Sequence, residues 1–433
     1  MRFSIAIVVF SLVAAACGST GETSTTGDSA TGAEVFTPGE VISVDRPRST
    51  TAVTDGDIAA VVASDTAFGL DLLRVAAGDE NFMVSPYSIA AALSMLYPGA
   101  GGVTATEIAD VLHLAVDDAT LHAVRNHIDA ALATAPLPIG EDAGEPFTIR
   151  PANSAWGQGG YPFLDEYLGI LAENYGAGLR LVDYAADPDG SRTTINDWVE
   201  DATEDRITDL LPAGAVSIDT RLTLVNAIWF KASWREPFDA TATAPGPFTL
   251  LDGTQIDVPL MQASLGTGFA TTDRFDAVRL PYAGDAAMVV LLPKQGSPAE
   301  LAATLDPEDL DIAWGDHLVE ITLPSFEFDA EISLKSSLQE LGMRAAFEMP
   351  AGDGADFTGI TPIRELFVSD AFHKTFITLD EEGTEAAAAT AIVVGVVSVP
   401  QPATFTADHP FLFWIEHTPT GEMLFLGQVT NPT

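Results

Sequence analysis

Seven histidines could act as general bases or metal ligands: His113, His122, His127, His317, His373, His409 and His417. His122 and His127 stand five residues apart, so a helix does not stack them on one face as metal ligation requires. No Gly-x-Ser-x-Gly elbow offers a serine nucleophile, and no His-Glu-x-x-His pair marks a zinc helix. No Gly-x-x-x-x-Gly-Lys-Ser/Thr loop is present to cradle a phosphate. Carboxylates are so numerous that no pair singles itself out, and they read as a solvated acidic surface. The common hydrolytic, zinc-dependent and nucleotide-dependent chemistries find no residues here. Neither a metal site nor a cofactor is expected, and no residue is assigned a catalytic role.

The charge balance narrows the partners. The chain has 433 residues, 47% of them hydrophobic, and 19 Lys and Arg stand against 62 Asp and Glu for a formal net charge of −43. Phosphate backbones are bound by clustered Lys and Arg, and the lysines (Lys231, Lys294, Lys335 and Lys374) are scattered. Nucleic acid, heparin-like polyanions and acidic lipid surfaces are therefore disfavoured. Such an acidic surface suits an extracellular or high-salt setting.

Cys17 is the single cysteine, so no intramolecular disulfide forms. Met1-Arg2 is a short positive start, Phe3 to Ala16 is apolar, and Ala14-Ala15-Ala16 precedes Cys17. This is a signal peptide with a small-residue cleavage site, too short to remain as a membrane-spanning helix. The block resembles a bacterial lipoprotein signal, although Ala14 stands where that family prefers Leu. The resemblance implies that residues 1–16 are removed, that Cys17 carries the lipid, and that the protein is anchored at the cell surface or otherwise secreted. Gly18 to Gly32 is almost wholly Gly, Ser, Thr and small acidic residues, the composition of a flexible tether. Periodic structure begins near Asp57, so the expected division is a tether over 17–54 and one globular unit over 55–433.

Positioning elements follow from periodicity. Ile58 to Ala77, Tyr87 to Tyr97, Thr106 to Leu114 and Ala119 to Leu132 read as helices, and Ser191 to Leu211 as an amphipathic helix pair. Expected strands are Thr148 to Trp156, Leu222 to Phe230, Met288 to Leu292, Val319 to Leu323 and Lys374 to Leu379. A closing hairpin pairs Phe411 to Glu416 with Met423 to Val429 across Thr418-Pro-Thr-Gly421. Helices first and mostly antiparallel strands later make an α+β fold the expectation.

The segment from Leu379 to Pro400 fits no single element. Ala386 to Ala389 favours helix, Ile392 to Val399 favours strand, and no charge falls between Glu385 and Asp408. Taken with its flanks, the segment resembles the serpins. Glu381-Glu382-Gly383-Thr384-Glu385-Ala386-Ala387-Ala388-Ala389-Thr390 matches that family's hinge. Phe405 to Phe413 and Thr420 to Pro432 resemble its signature and closing strand, and Leu224 to Phe238 another hallmark, with Trp234 where the loop first enters the sheet. Asn81 and Ser85-Pro86-Tyr87-Ser88 resemble the region where the family opens its main sheet, with Asn226 and His373 as polar partners there. The match runs from about Asp57 to Pro432.

The resemblance implies a serpin fold with an exposed reactive-centre loop, and a monomer that traps a serine protease as a stoichiometric inhibitor. The protease attacks the bait carbonyl, and the hinge side of the cut loop then inserts into the main sheet. The sequence suits insertion: the first proline after the hinge is Pro400, and alternation places Thr384, Ala386, Ala388, Thr390, Ile392 and Val394, all small or apolar, on one face. Family spacing from Gly383 and from Phe405 puts the reactive bond at Val397–Ser398, with Val396 as a neighbouring bait. Valine suits an elastase-like protease. The alternatives are a subtilisin-like or cysteine protease as target, or a non-inhibitory serpin-fold binding protein.

Overall fold

The computed structural model describes residues 36–133, 147–384 and 401–433. Eight α-helices occur among them: α1 (Asp55–Ala76), α2 (Pro86–Leu96), α3 (Gly102–Val111), α4 (Asp118–Ala133), α5 (Asp165–Tyr175), α6 (Pro188–Ala202), α7 (Pro298–Ala302) and α8 (Leu334–Leu341). Local chemistry sets their starts. Thr54 and Asp57 form a reciprocal capping box at α1, and Ser85 caps α2 with Pro86 in its first turn. All eleven residues of α2 are buried, which makes it the central helix under the main sheet.

Among the described residues that main sheet has seven strands: β1 (Val41–Ile42), β3 (Thr148–Gln158), β4 (Leu179–Val182), β5 (Leu222–Ser233), β11 (Phe326–Ser333), β12 (Val368–Leu379) and β13 (Gly383–Thr384). Their order is β1-β4-β3-β5-β13-β12-β11. The second sheet runs β14 (Gln401–Thr406), β10 (Gly315–Pro324), β7 (Gln255–Thr271), β8 (Phe275–Pro281), β9 (Ala286–Pro293), β15 (Phe411–His417), β16 (Glu422–Val429) and β2 (Phe82–Val84), with β6 (Ala244–Thr249) added on β7. Helices and large mixed sheets give the expected α+β class.

β5 is covered on both faces, which is why Leu222 to Phe230 reads as an unbroken apolar run. Leu222 and Leu224 join Phe68, Leu72, Ile89 and Leu93 of α1 and α2. Val225 and Ala227 pack with Ile195 and Val199 of α6 on the opposite side. Farther along, Phe230 and Trp234 join Tyr282, Phe405, Phe413 and Phe425 of and beside the second sheet.

Three expectations are corrected. Residues 36–54 belong to the compact unit that begins at Phe36, not to the tether. β1 pairs antiparallel with β4, Arg46 bonds Glu173 at 3.0 Å, and Arg48 bonds Asn126 at 2.8 Å and Asp129 at 2.7 Å. A few well-placed partners offset the low apolar content there. The helix pair over 191–211 is one helix, α6, followed by irregular chain in which Glu204, Asp205 and Asp209 have positive φ. Ile207, Leu210 and Leu211 keep helical spacing because they are buried, but their backbone is held by side chains: Asn196 accepts from Leu211 N at 2.8 Å and Thr203 from Ile207 N at 3.1 Å. α3 begins at Gly102 and stops short of His113, whose φ of 50° ends the helical path.

Candidate functional site at the divide in the main sheet

β5 and β12 are parallel neighbours over only part of their length. Direct pairing runs from Leu222↔Val368 to Ile228↔Thr375 and stops. Above that point two residues of the hinge, Gly383 and Thr384, lie between the strands. Gly383 pairs with Ser233 and Thr384 with Ala232 on β5, while Thr384 pairs with Leu379 on β12. Between this short insert and the paired region is a small cleft lined by Met83, Phe230, Phe376, Ile377, Thr384, Ile415 and Phe425.

The turn that delivers the hinge is held at nearly every polar atom. The Asp380 carboxylate accepts from the backbone N–H of Glu382 at 2.9 Å and Gly383 at 3.1 Å. Trp234 donates its indole N–H to the Asp380 carbonyl at 2.9 Å and its backbone N–H to the Glu382 carbonyl at 2.9 Å. Phe238 N–H donates to the Glu381 carbonyl at 2.8 Å, and the Thr243 hydroxyl to the Glu381 carboxylate at 2.5 Å. Gly383 has φ +152°, and a Cβ there would sit 2.1 Å from the Ala232 carbonyl oxygen, so the close approach to β5 requires glycine. Trp234 stacks flat on Tyr282, with ring centroids 4.4 Å apart and planes 4° apart. The Tyr282 hydroxyl in turn meets the Thr384 hydroxyl at 2.8 Å. Burial pushes the Tyr282 hydroxyl above its ordinary pKa, so it remains a neutral donor.

A second polar cluster sits lower, where β5 and β12 are joined. His373 faces Asn226 across the divide. Ser85 N–H donates to His373 Nε2 at 3.0 Å, which leaves the proton on Nδ1 to donate to the Asn226 side-chain oxygen. Asn226 donates to Ser88 Oγ at 2.9 Å and to Asn153 Oδ1 at 2.8 Å, and Ser88 donates to the same Asn153 oxygen at 2.7 Å. The Ser85 hydroxyl donates to the Leu424 carbonyl at 2.5 Å. Burial pulls His373 down to about 3, so the imidazole is neutral in this network. The cluster ties β3, β5, β12 and the start of α2 together through groups that water could replace when the strands part.

The structure brings Ser85, Pro86, Ser88, Asn226 and His373 to one place. It places Trp234 with Glu381, Glu382, Gly383 and Thr384 at the hinge, not in the lower cluster. Asn81 lies in neither: its side-chain oxygen accepts from Thr430 N at 2.8 Å and Asn431 N at 3.0 Å, tying the C-terminal segment down. Glu385 to Thr390, the bond Val397–Ser398 and Cys17 fall outside the described residues. Sequence reading missed Asn153, Tyr282, Asp380 and Thr243. Asn153 could have been noticed as an amide in the strand facing β5, whereas nothing local marks Tyr282 as the partner of a residue about a hundred positions away.

Among the described residues no group of His, Cys, Asp and Glu side chains could hold a metal ion. What the site holds is mechanical: a strand whose first two residues are seated, a cleft in line with them, and a polar clasp below. The sequence model of the family Serpin (serine protease inhibitor) matches residues 63–432. A serpin-like protein of Thermococcus kodakarensis is 36% identical over 386 residues, covering 87% of each chain. Leukocyte elastase inhibitor of Bos taurus is 34% identical over 390 residues, covering 86% of this chain and 99% of its own. The native-state crystal structure of the thermophilic serpin tengpin superposes with a TM-score of 0.77 at 26% identity, covering 89% of this chain and 97% of that one.

Proposed function

The chain belongs to the serpin family, and from that footing we propose that it is a suicide-substrate inhibitor of an elastase-like serine protease. Serpins act on proteases as inhibitors, not as catalysts of their own. The observation that carries the inhibitory reading is the seating of Gly383 and Thr384 between β5 and β12. Each further residue of the hinge is one step back along β5, so the same register carries Glu385 to Val394 opposite Lys231 to Leu222. Thr384 itself is 1% exposed, which means the entry position already accepts a buried side chain. Attack of the protease serine on the bait carbonyl forms the acyl-enzyme and releases the chain on its C-terminal side. The freed hinge strand then displaces the direct β5–β12 pairing, and the attached protease is carried with it before water can hydrolyse the ester.

The proposed bait is Val397, with cleavage before Ser398; a valine side chain fits a small apolar specificity pocket. The bovine relative is named for leukocyte elastase, and the same class of target is proposed here. Mixing the protein with elastase should give a complex that survives SDS, and mass spectrometry of the released fragment should begin at Ser398. Fast inhibition of trypsin with none of elastase would overturn the specificity. Simple loop cleavage without a complex would favour a non-inhibitory serpin.

A further inference from the structure

A cavity of about 110 Å³ lies beside the lower polar cluster, bordered by Tyr87, Ala91 and Met95 of α2, Arg125 and Asp129 of α4, and Asn153 of β3. Tyr87 is 3% exposed and lines the cavity. Arg125 is 2% exposed. It gives one N–H from each terminal nitrogen to Asp65 and its Nε–H to Ser94 at 3.2 Å. One N–H on each terminal nitrogen is left over. These N–H groups can still donate, so an occupant that accepts hydrogen bonds is favoured.

The surrounding charges are already matched. Asp65 answers Arg125, and at the rim Arg48 answers Asp129 at 2.7 Å. Burial and the neighbouring Asp65 raise the pKa of Glu422 well above its ordinary value. A carboxylate entering this site would bring a charge with no counter-ion, which burial penalises. The remaining wall is Ala91, Met95, Pro151 and Ala177, together with Tyr175, whose hydroxyl meets His122 Nδ1 at 2.7 Å. The volume admits several waters or one small organic molecule.

We propose that this cavity binds a small uncharged carbonyl compound, an amide or ketone with a short branched aliphatic part, its oxygen accepting from Tyr87 and Arg125. The wall residue Asn153 is the shared acceptor for Ser88 and Asn226. An occupant therefore stiffens the junction of α2, β3 and β5 that must rearrange when the main sheet opens, and occupancy slows that opening.

Isothermal titration of the full chain with isobutyramide, beside sodium isobutyrate, tests the assignment. Saturable binding of the amide is expected, with the carboxylate at least about tenfold weaker. Tyr87→Phe should weaken the amide about tenfold, the loss of one hydrogen bond. Ala91→Leu should fill the cavity and abolish binding, with a cooperative thermal transition showing that the variant is folded. Saturating isobutyramide should also slow backbone amide exchange over Leu222 to Ile228. Absence of saturable amide binding, undiminished binding in both variants, tighter binding of the carboxylate, or binding without slowed exchange would each overturn the proposal. None of these readouts uses a protease, so the inhibitory reading stands or falls separately.

Discussion

Thr384→Arg sets a local electrostatic cost against a long-range structural gain. Thr384 is 1% exposed, paired on both sides, and hydrogen-bonded to Tyr282 at 2.8 Å. An arginine there must place its guanidinium among Phe230, Phe376 and Ile377, at a cost of several kcal/mol without a partner. It also leaves the Tyr282 hydroxyl unpaired, about 1–3 kcal/mol more. Continued insertion from Glu385 to Val394 forms new backbone bonds on both sides while breaking the direct β5–β12 pairs. At about 1 kcal/mol net per hydrogen bond, that gain is on the order of ten kcal/mol. The inserted state therefore remains the favoured one at equilibrium. The rate is a different matter, because Thr384 leads the strand and its cost falls on the first step. Some 4 kcal/mol on that step slows it about a thousandfold, and ester hydrolysis then wins. Titrating elastase with the variant, with SDS gels in parallel, should show loop cleavage at the normal site and no covalent complex. If the variant traps protease at the wild-type stoichiometry, insertion does not begin at this residue.

Three further outcomes are expected. Nicking the loop should raise the melting temperature, because the cut chain can complete the central strand; equal melting temperatures before and after cutting would refute an insertion-competent hinge. His373 is pulled by burial from 6.5 to about 3, so between those values the unfolded chain binds a proton that the folded chain refuses, and stability falls as pH drops through that window. His373→Gln should flatten this slope in urea unfolding between about pH 6.5 and 4, leaving the share owed to His122, which burial pulls to about 4; an unchanged slope would contradict the assignment. We also propose that Cys17 anchors the mature protein by a lipid, so Cys17→Ser should leave the chain unprocessed or released, whereas a wild-type mature form that starts elsewhere and stays aqueous in detergent partitioning would rule the anchor out.

Much of this site was legible because its residues are constrained by local chemistry. Gly383 stands where a side chain would strike the Ala232 carbonyl, and Ser85-Pro86 is a helix start in any context. The two-sided burial of β5 wrote itself into an apolar run. The network partners were not legible for the opposite reason. Tyr282, Asn153 and Thr243 act through contacts distant in sequence, and their neighbours in the chain give no sign of them. The docked stretch from Phe36 was obscured by its composition. Its prolines suggest irregular chain, while the contacts that hold it, Arg46 to Glu173 and Arg48 to Asp129, reach helices more than seventy residues away. The region after Ala202 failed differently, since burial alone reproduced helical spacing in a segment whose backbone is not helical.

The two seated residues also decide phase. A strand entering a sheet can slip by one position, and a one-residue slip turns every side chain to the other face. Slipped in that way, the hinge would bury Glu385 where Thr384 now sits. Gly383 prevents it, because no other hinge residue up to Thr390 lacks the Cβ that would collide with Ala232. The uncut protein therefore stores the alignment of a strand it has not yet formed. Cleavage has only to release the far end; the question of which side chains face inward was answered when the chain first folded.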